Sequence, residues 1–164
     1  MTLRVRNIPQ RGHARLSTAA LIDLSLRNHL CFSTLRTEHG AAFHLGTIVR
    51  TMFASFFLFD AGYGDGNLLI YSEVDLMLSE LATSTKLDAH YSLGAHAVEP
   101  TARLLAVYDN QLQTAPLVEL VAAHQRAERN FHASPEERLS IPTLIQRSRR
   151  ASQGMHHTQS TMIS

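Results

Sequence analysis

The sequence predicts an all-α fold, a single-domain bundle of about five helices with flexible basic termini. Apolar residues recur at helical spacing in successive segments between residues 16 and 133. The most apolar segment, residues 43–59, contains most of the phenylalanines and is expected to be the central helix. A chain of 164 residues with 45% hydrophobic and 18% charged residues has the size and composition of one domain.

The pattern divides the chain into four parts. Residues 1–15 are predicted to be a basic N-terminal arm, because they carry arginines, no acid, and both Pro9 and Gly12. Residues 16–133 are predicted to be the helical bundle, and residues 134–147 a short helical extension. Residues 148–164 lack periodic apolar residues and are expected to be a disordered tail.

Positive charge is concentrated at the two ends of the chain and negative charge in its middle. Cys31 is the only cysteine, which excludes an internal disulfide. The N-terminus lacks the apolar segment of a signal peptide. We therefore expect a protein of the reducing cytoplasm.

The first helix is predicted to begin at Ser17 or Thr18, whose hydroxyl can accept a hydrogen bond from a free backbone N–H. Asn28 lies on its apolar seam, where a buried asparagine needs a partner and can fix helix register or the alignment of an oligomer. A surface asparagine is the alternative. The predicted seam consists of Leu21, Leu24, Cys31 and Leu35, widened by Ile22, Leu26 and Leu30.

The central segment is predicted to be buried rather than to cross a membrane or to read DNA. Its apolar run is interrupted by Arg50 and several hydroxyl residues, whereas a membrane span needs about 20 consecutive apolar residues. Gly46 matches the turn glycine of a helix-turn-helix motif. The following helix would then present Ile48, Phe53 and Phe56 to DNA, where polar side chains are required.

The glycine-rich segment 60–67 is predicted to end the central helix and turn the chain. It follows a helix and lacks lysine, so it does not match a phosphate-binding loop. Gly62 and Gly64 occupy positions where a calcium loop needs oxygen ligands. The third helix is predicted to start near Asn67, and its stripe comprises Ile70, Val74, Met77, Leu78 and Leu81.

Prolines are predicted to separate the remaining helices. Pro100 is expected to start the fourth helix and Pro116 to divide it from the fifth, so closely that the two form an antiparallel hairpin. Ser134 followed by Pro135 predicts the start of a short further helix, which Pro142 interrupts. The predicted buried stripe of the fifth helix comprises Leu117, Leu120, Val121, His124 and Phe131.

The basic residues at both ends are candidates for binding nucleic acid. Arginines on extended arms contact phosphates and release counterions. The alternatives are a solvated terminus and an arm that pairs with the acidic middle of the fold. The candidate residues are Arg4, Arg6, Arg11, Arg15, Arg147, Arg149 and Arg150.

No residue set directly predicts catalysis or a bound metal. His90 and His96, with Asp88 and Glu99 nearby, are the best-placed metal ligands. Their spacing puts the two histidines on different faces of a helix, whereas zinc sites need three or four ligands at close spacing. Cys31 lies among apolar residues, where a thiol is unreactive. We therefore expect no metal and no cofactor.

One enzymatic alternative comes from the segment RAERNFH, residues 126–132. Arg126 followed by His132 resembles the R-x(4–6)-H element of HEPN-type ribonucleases, which are also helical bundles. This resemblance implies that Arg126 would contact phosphate and that His132 would assist attack by the 2′-hydroxyl. Ala127 stands where that family usually has a polar residue.

We expect a non-enzymatic, cytoplasmic regulatory or adaptor module that acts through protein–protein contacts, with no membrane partner. Self-association is one form of this hypothesis, because the segment 52–59 carries more large apolar surface than four neighbouring helices are expected to cover. A nucleic-acid-associated transcriptional regulator is an alternative. A HEPN-like ribonuclease or a metal-dependent enzyme is the third.

Overall fold

The structure is a computed structural model, which describes residues 14–64, 67–84 and 90–160. These residues form helices and connections without any strand, and the predicted all-α bundle is confirmed. Six helices follow one another in the described residues: α1 (Thr18–Leu35), α2 (Ala42–Asp60), α3 (Leu68–Ser84), α4 (Ala95–Thr114), α5 (Leu117–His132) and α6 (Ile141–Ser160).

Helix α2 is the centre of the bundle, as predicted. It contacts α1, α3, α4, α5 and α6, and its side chains are buried almost continuously from Leu45 to Leu58. Phe53, Phe56 and Phe57 lie inside the protein, so these side chains are not presented to a DNA groove. Residues 52–58 are buried and Phe59 is half-buried, so five neighbouring helices cover more of this segment than expected.

Among the described residues, α2 is the one helix long and apolar enough to cross a membrane by length and composition. However, 67% of its most apolar stretch is buried inside the bundle. A helix at the centre of a bundle is apolar on most sides because other helices cover it. Burial in the core therefore accounts for the hydropathy of α2.

Helix α1 begins as predicted, since the Ser17 hydroxyl accepts a hydrogen bond from the Ala20 N–H at 3.3 Å. Asn28 is buried, and its side-chain oxygen accepts a hydrogen bond from the Thr51 hydroxyl of α2 at 3.2 Å. Of the predicted seam, Cys31 and Leu35 are buried, and Leu21 and Leu24 are half-buried. The residues expected to widen it, Ile22, Leu26 and Leu30, instead lie on the opposite, exposed side of the helix.

Helix α3 starts where it is predicted to start, with the Asn67 side chain accepting from the Leu69 N–H at 3.0 Å. Helix α4 does not: it begins at Ala95, and Pro100 lies inside it. The backbone before α4 is held by a distant segment, because the N–H groups of Tyr91 and Leu93 donate to carbonyls at the end of α1 and in the α1–α2 connection. These contacts determine the start of α4, and Pro100 is accommodated early in the helix.

The buried face of α5 is rotated from the predicted stripe: Leu120 belongs to both, whereas Leu117, His124 and Phe131 are half-buried. Its buried residues are Leu120, Ala123, Ala127 and Asn130, while Val121 is exposed. The two alanines let α5 pack closely on α2, which is its main neighbour. Packing of α5 on α4 is minor, so the expected α4–α5 hairpin is not the main pairing of these helices.

The segment after α5 forms a turn, in which the Ser134 carbonyl accepts from the N–H groups of Glu137 and Arg138. Helix α6 then begins at Ile141, with Pro142 in its first turn, a position where proline needs no N–H partner. The predicted helix start at Ser134 is therefore wrong. Helix α6 also runs through to Ser160, past the point at which the sequence predicts disorder, and its last residues include no proline that would end it.

Two buried side chains anchor the start of α6 on the bundle. The Asp75 carboxylate of α3 accepts a hydrogen bond from the Ile141 N–H at 3.0 Å. Burial raises the pKa of Asp75, and this hydrogen bond opposes the rise. The Asn130 side chain of α5 donates to the Leu139 carbonyl and accepts from the Leu139 N–H, both at 2.9 Å. The position of α6 thus depends on α3 and α5.

Candidate functional site

The outer side of α1 is an apolar surface that no described helix covers. Ile22, Leu26 and Leu30 recur every four residues and are exposed by 57%, 56% and 58%. Phe43, at the start of α2, is exposed by 61% and lines a shared groove of about 340 Å³ with Leu26 and Leu30. We call these four residues the α1 face.

Charged residues border the α1 face on one side. Asp23 and Arg27 line the same groove as Leu26, Leu30 and Phe43. Neither Asp23 nor Arg27 forms an ion pair with another described residue. An apolar ridge with one acid and one base beside it has the composition of a protein-binding surface rather than of a catalytic pocket.

A second groove, between α1 and α5, has a volume of about 540 Å³ and is lined by leucines together with Arg27, Glu128 and Arg129. At its edge, the Tyr108 hydroxyl of α4 and His124 Nε2 of α5 are 2.5 Å apart. Burial lowers the pKa of His124, the nearby Arg27 lowers it further, and Glu128 opposes both. Which of the two atoms donates the hydrogen bond depends on the tautomer of His124, and burial is the main cause that favours its neutral form.

A buried polar cluster joins α2, α3 and α4. The Ser55 hydroxyl donates to Gln111 Oε1 at 2.7 Å and lies 3.1 Å from the Tyr71 hydroxyl. Gln111 Nε2 donates to the carbonyls of Ser55 and Tyr63 at 3.0 and 2.9 Å. All of these polar atoms have partners, and no solvent reaches Ser55, Tyr71 or Gln111. The cluster is therefore structural.

A cleft of about 510 Å³ lies where α5 and α6 meet the end of α2. Phe56 and Phe57 contribute to its lining, and Arg126, Arg129 and Arg147 bring positive charge to it. Asp60 and Glu137 also line it, so it carries more charged groups than either groove beside α1.

The basic residues predicted to bind nucleic acid are not gathered in one place. Arg15 donates hydrogen bonds to the Gln113 carbonyl at 3.0 Å and to the Thr114 carbonyl, so it caps the C-terminal end of α4. Arg147, Arg149 and Arg150 are exposed on α6. The remaining candidates, Arg4, Arg6 and Arg11, lie outside the described residues.

The structure does not bring the proposed ribonuclease pair together. Arg126 lies over the Phe57 ring at 4.0 Å and faces Asp60 in the α5–α6 cleft. His132 is exposed and pairs with Glu128 at 3.2 Å, and it does not line that cleft. Six residues apart on one helix, the two side chains point about 120° apart.

The candidate metal ligands His90 and His96 are both exposed. No group of three or more His, Cys, Asp or Glu residues close enough to hold a metal ion occurs within residues 14–64, 67–84 and 90–160. Asp88, which the sequence places nearby, lies outside the described residues.

Comparison with known proteins adds no family assignment: no family model, curated protein or solved structure matches this chain.

Sequence reasoning missed the α1 face, although a signal for it exists. Ile22 and Leu26 lie nine residues before Cys31 and Leu35, respectively. Nine residues advance about 900° around an α-helix, which is about two and a half turns, so these pairs lie on opposite sides of the helix. Apolar residues on two opposite sides of a helix indicate two buried surfaces. Only one of them is buried in this protein.

Proposed function

We propose that this protein is a cytoplasmic, non-enzymatic adaptor or regulatory module that works through protein contacts made by the α1 face. The observation that carries this proposal is the uncovered ridge of Ile22, Leu26 and Leu30, extended by Phe43. Burying one such side chain contributes about 1.5–3 kcal/mol. A contiguous set of four therefore favours association over exposure to water.

The partner we propose for this face is a second copy of the same chain. Residues at a four-residue spacing form a ridge of the kind that packs between two helices. If two α1 helices pack antiparallel with the two-fold axis at Leu26, Ile22 of one copy faces Leu30 of the other. The two-fold axis places the same side of each α1 helix next to the other. Asp23 of one copy therefore lies close to Arg27 of the other, and the symmetry repeats this contact.

The α1 face thus carries a charge pattern that is complementary to itself. Other apolar residues on the bundle, such as Leu69 and Leu76 of α3, are also exposed, but Glu73, one helical turn from each, is already paired with Arg103 of the same chain. This difference makes α1 the preferred surface for self-association.

The proposal is tested by measuring the molar mass of the protein by light scattering after size-exclusion chromatography. We expect a dimer at micromolar concentration for the wild type and a monomer for Leu26→Glu, which places a charge at the proposed axis. Leu76→Glu is the matched control, because Leu76 is 61% exposed on α3. It should remain dimeric.

A monomeric wild type, or equal loss of the dimer in the two variants, would contradict the proposed role of the α1 face. Circular dichroism of each variant establishes that the helices are retained.

A further inference from the structure

We propose that the cleft between α5 and α6 is a binding site for a small phosphate-bearing molecule, held by Arg129 and Arg147. The cleft lies away from the α1 face, so this site is independent of self-association.

The cleft combines an apolar base with polar walls. Phe56 and Phe57 of α2 are almost completely buried beneath it, and Leu144 of α6 contributes an apolar wall. Its volume of about 510 Å³ falls within the range of small-molecule sites, about 300–1,000 Å³. A nucleic-acid strand would need a longer groove.

The side-chain acceptors that line the cleft already have partners. Asp60 accepts a hydrogen bond from the Ser148 hydroxyl at 2.7 Å, and Glu137 accepts one from the Ser134 hydroxyl at 3.2 Å. The Asn130 side chain is occupied by both backbone groups of Leu139. These contacts use both polar groups of Asn130 and part of the accepting capacity of the two carboxylates.

The cations of the cleft differ from one another. Arg126 lies over Phe57 and faces Asp60 at 4.0 Å, which positions it and partly neutralises it. Arg129 and Arg147 form no hydrogen bond or ion pair with any described residue. Arg129 of α5 and Arg147 of α6 therefore line one cleft without an ion-pair partner in the described part of the chain, and Glu137 lines it without one as well.

The chemistry of these two groups selects the class of ligand. A guanidinium presents a planar set of N–H donors that matches the oxygens of phosphate and carboxylate. A phosphate monoester carries a charge of about −1.5 to −2 at pH 7, which balances two arginines, whereas one carboxylate balances one. The apolar base of the cleft suits the organic part of such an ester.

The test is isothermal titration calorimetry of the full chain with phenyl phosphate, with phenol as the uncharged probe and inorganic phosphate as the probe without an apolar part. We expect saturable 1:1 binding of phenyl phosphate, weaker binding of inorganic phosphate and no binding of phenol. Arg129→Gln and Arg147→Gln should each weaken phenyl phosphate binding at least tenfold.

Arg149→Gln is the matched control. It removes one positive charge from the same helix, but Arg149 is two residues from Arg147 and does not line the cleft. Binding by this variant should remain within twofold of the wild type.

Three outcomes would overturn the proposal. An equal loss in Arg149→Gln would show that general surface charge, not the cleft, attracts the anion. Equal binding of phenol would show an apolar site without anion recognition. Absence of saturable phenyl phosphate binding at millimolar concentration would show that the arginines hold no such ligand. All three variants alter exposed side chains, so each is expected to fold.

Discussion

At the scale of single residues, buried polar groups hold neighbouring helices in register. Gln111 of α4 reaches the carbonyls of Ser55 and Tyr63, and so ties α4 to α2 and to the connection that follows it. Gly64 in that connection has a positive φ of 88°, and a Cβ there would lie 2.8 Å from Gln111 Cγ. The close approach of this connection to α4 therefore requires glycine.

His124 is expected to make stability depend on pH. Because burial lowers its pKa below the ordinary value of 6.5, the unfolded chain takes up a proton at a higher pH than the folded protein does. The stability that comes from keeping His124 neutral is fully present above pH 6.5. It is lost as the pH falls through the lowered pKa that His124 has in the folded state. One proton changes the free energy of unfolding by at most about 1.4 kcal/mol per pH unit.

The measurement is the free energy of unfolding by urea at pH 7.5 and 5.5, for the wild type and His124→Gln. Glutamine can still accept the Tyr108 O–H but does not titrate, so the wild type should lose more stability than the variant on acidification. Asp75 and the other titrating groups are present in both proteins, so their effect on the free energy of unfolding cancels when the two pH-dependent losses are compared. If both proteins lose the same amount, His124 does not control the pH dependence.

At the scale of the helices, local signals were predictable and distant ones were not. The starts of α1 and α3 follow from Ser17 and Asn67, whose side chains accept hydrogen bonds from N–H groups a few residues away. The start of α4 depends instead on hydrogen bonds to residues more than fifty positions earlier, such as that from Tyr91 to Gly40. No periodicity within α4 contains that information.

The buried face of α5 was missed for a related reason. Ala123 and Ala127 give a weak apolar signal, yet their small size allows α5 to approach α2. At Gly46 of α2, an added Cβ would lie 3.2 Å from the Phe131 ring of α5, which shows how close this packing is. Large residues such as Val121 dominate the sequence pattern but remain exposed.

Enlarging the small face of α5 should therefore destabilise the bundle. Ala127→Leu adds atoms to a position that is 1% exposed, and overpacking of this kind costs about 1–3 kcal/mol. Ala122→Leu, on the exposed side of the same helix, should change the free energy of unfolding by no more than about 0.5 kcal/mol. Urea unfolding of both variants checks this expectation. Equal effects would show that α5 does not bury the face described above.

At the scale of the whole molecule, the fold class and the central helix could be predicted from sequence because the hydrophobic effect acts on composition and spacing. The apolar run around Phe53 and Phe56 needed burial in any arrangement. The functional surfaces could not be predicted in the same way. Whether the ridge at Leu26 is covered, and whether Arg129 and Arg147 meet across a cleft, depends on which helices pack together.

The bundle that results keeps its most apolar helix inside and leaves a second apolar ridge outside. Burial of residues 52–58 among five helices leaves little of the expected apolar surplus of α2 as a reason for self-association. The α1 face replaces it, with Asp23 and Arg27 beside the ridge. The proposed module thus pairs through its first helix and leaves the α5–α6 cleft accessible.

The most direct measurement of this account is disulfide cross-linking at the proposed two-fold axis. Cys31 is the only cysteine and is 3% exposed, so the wild type should not cross-link through it. Leu26→Cys places two thiols opposite each other in the dimer and should form a covalent dimer on mild oxidation, reversed by reducing agent. Leu76→Cys, exposed on α3, should remain monomeric on a non-reducing gel. Cross-linking of Leu26→Cys no stronger than that of Leu76→Cys would contradict pairing through α1.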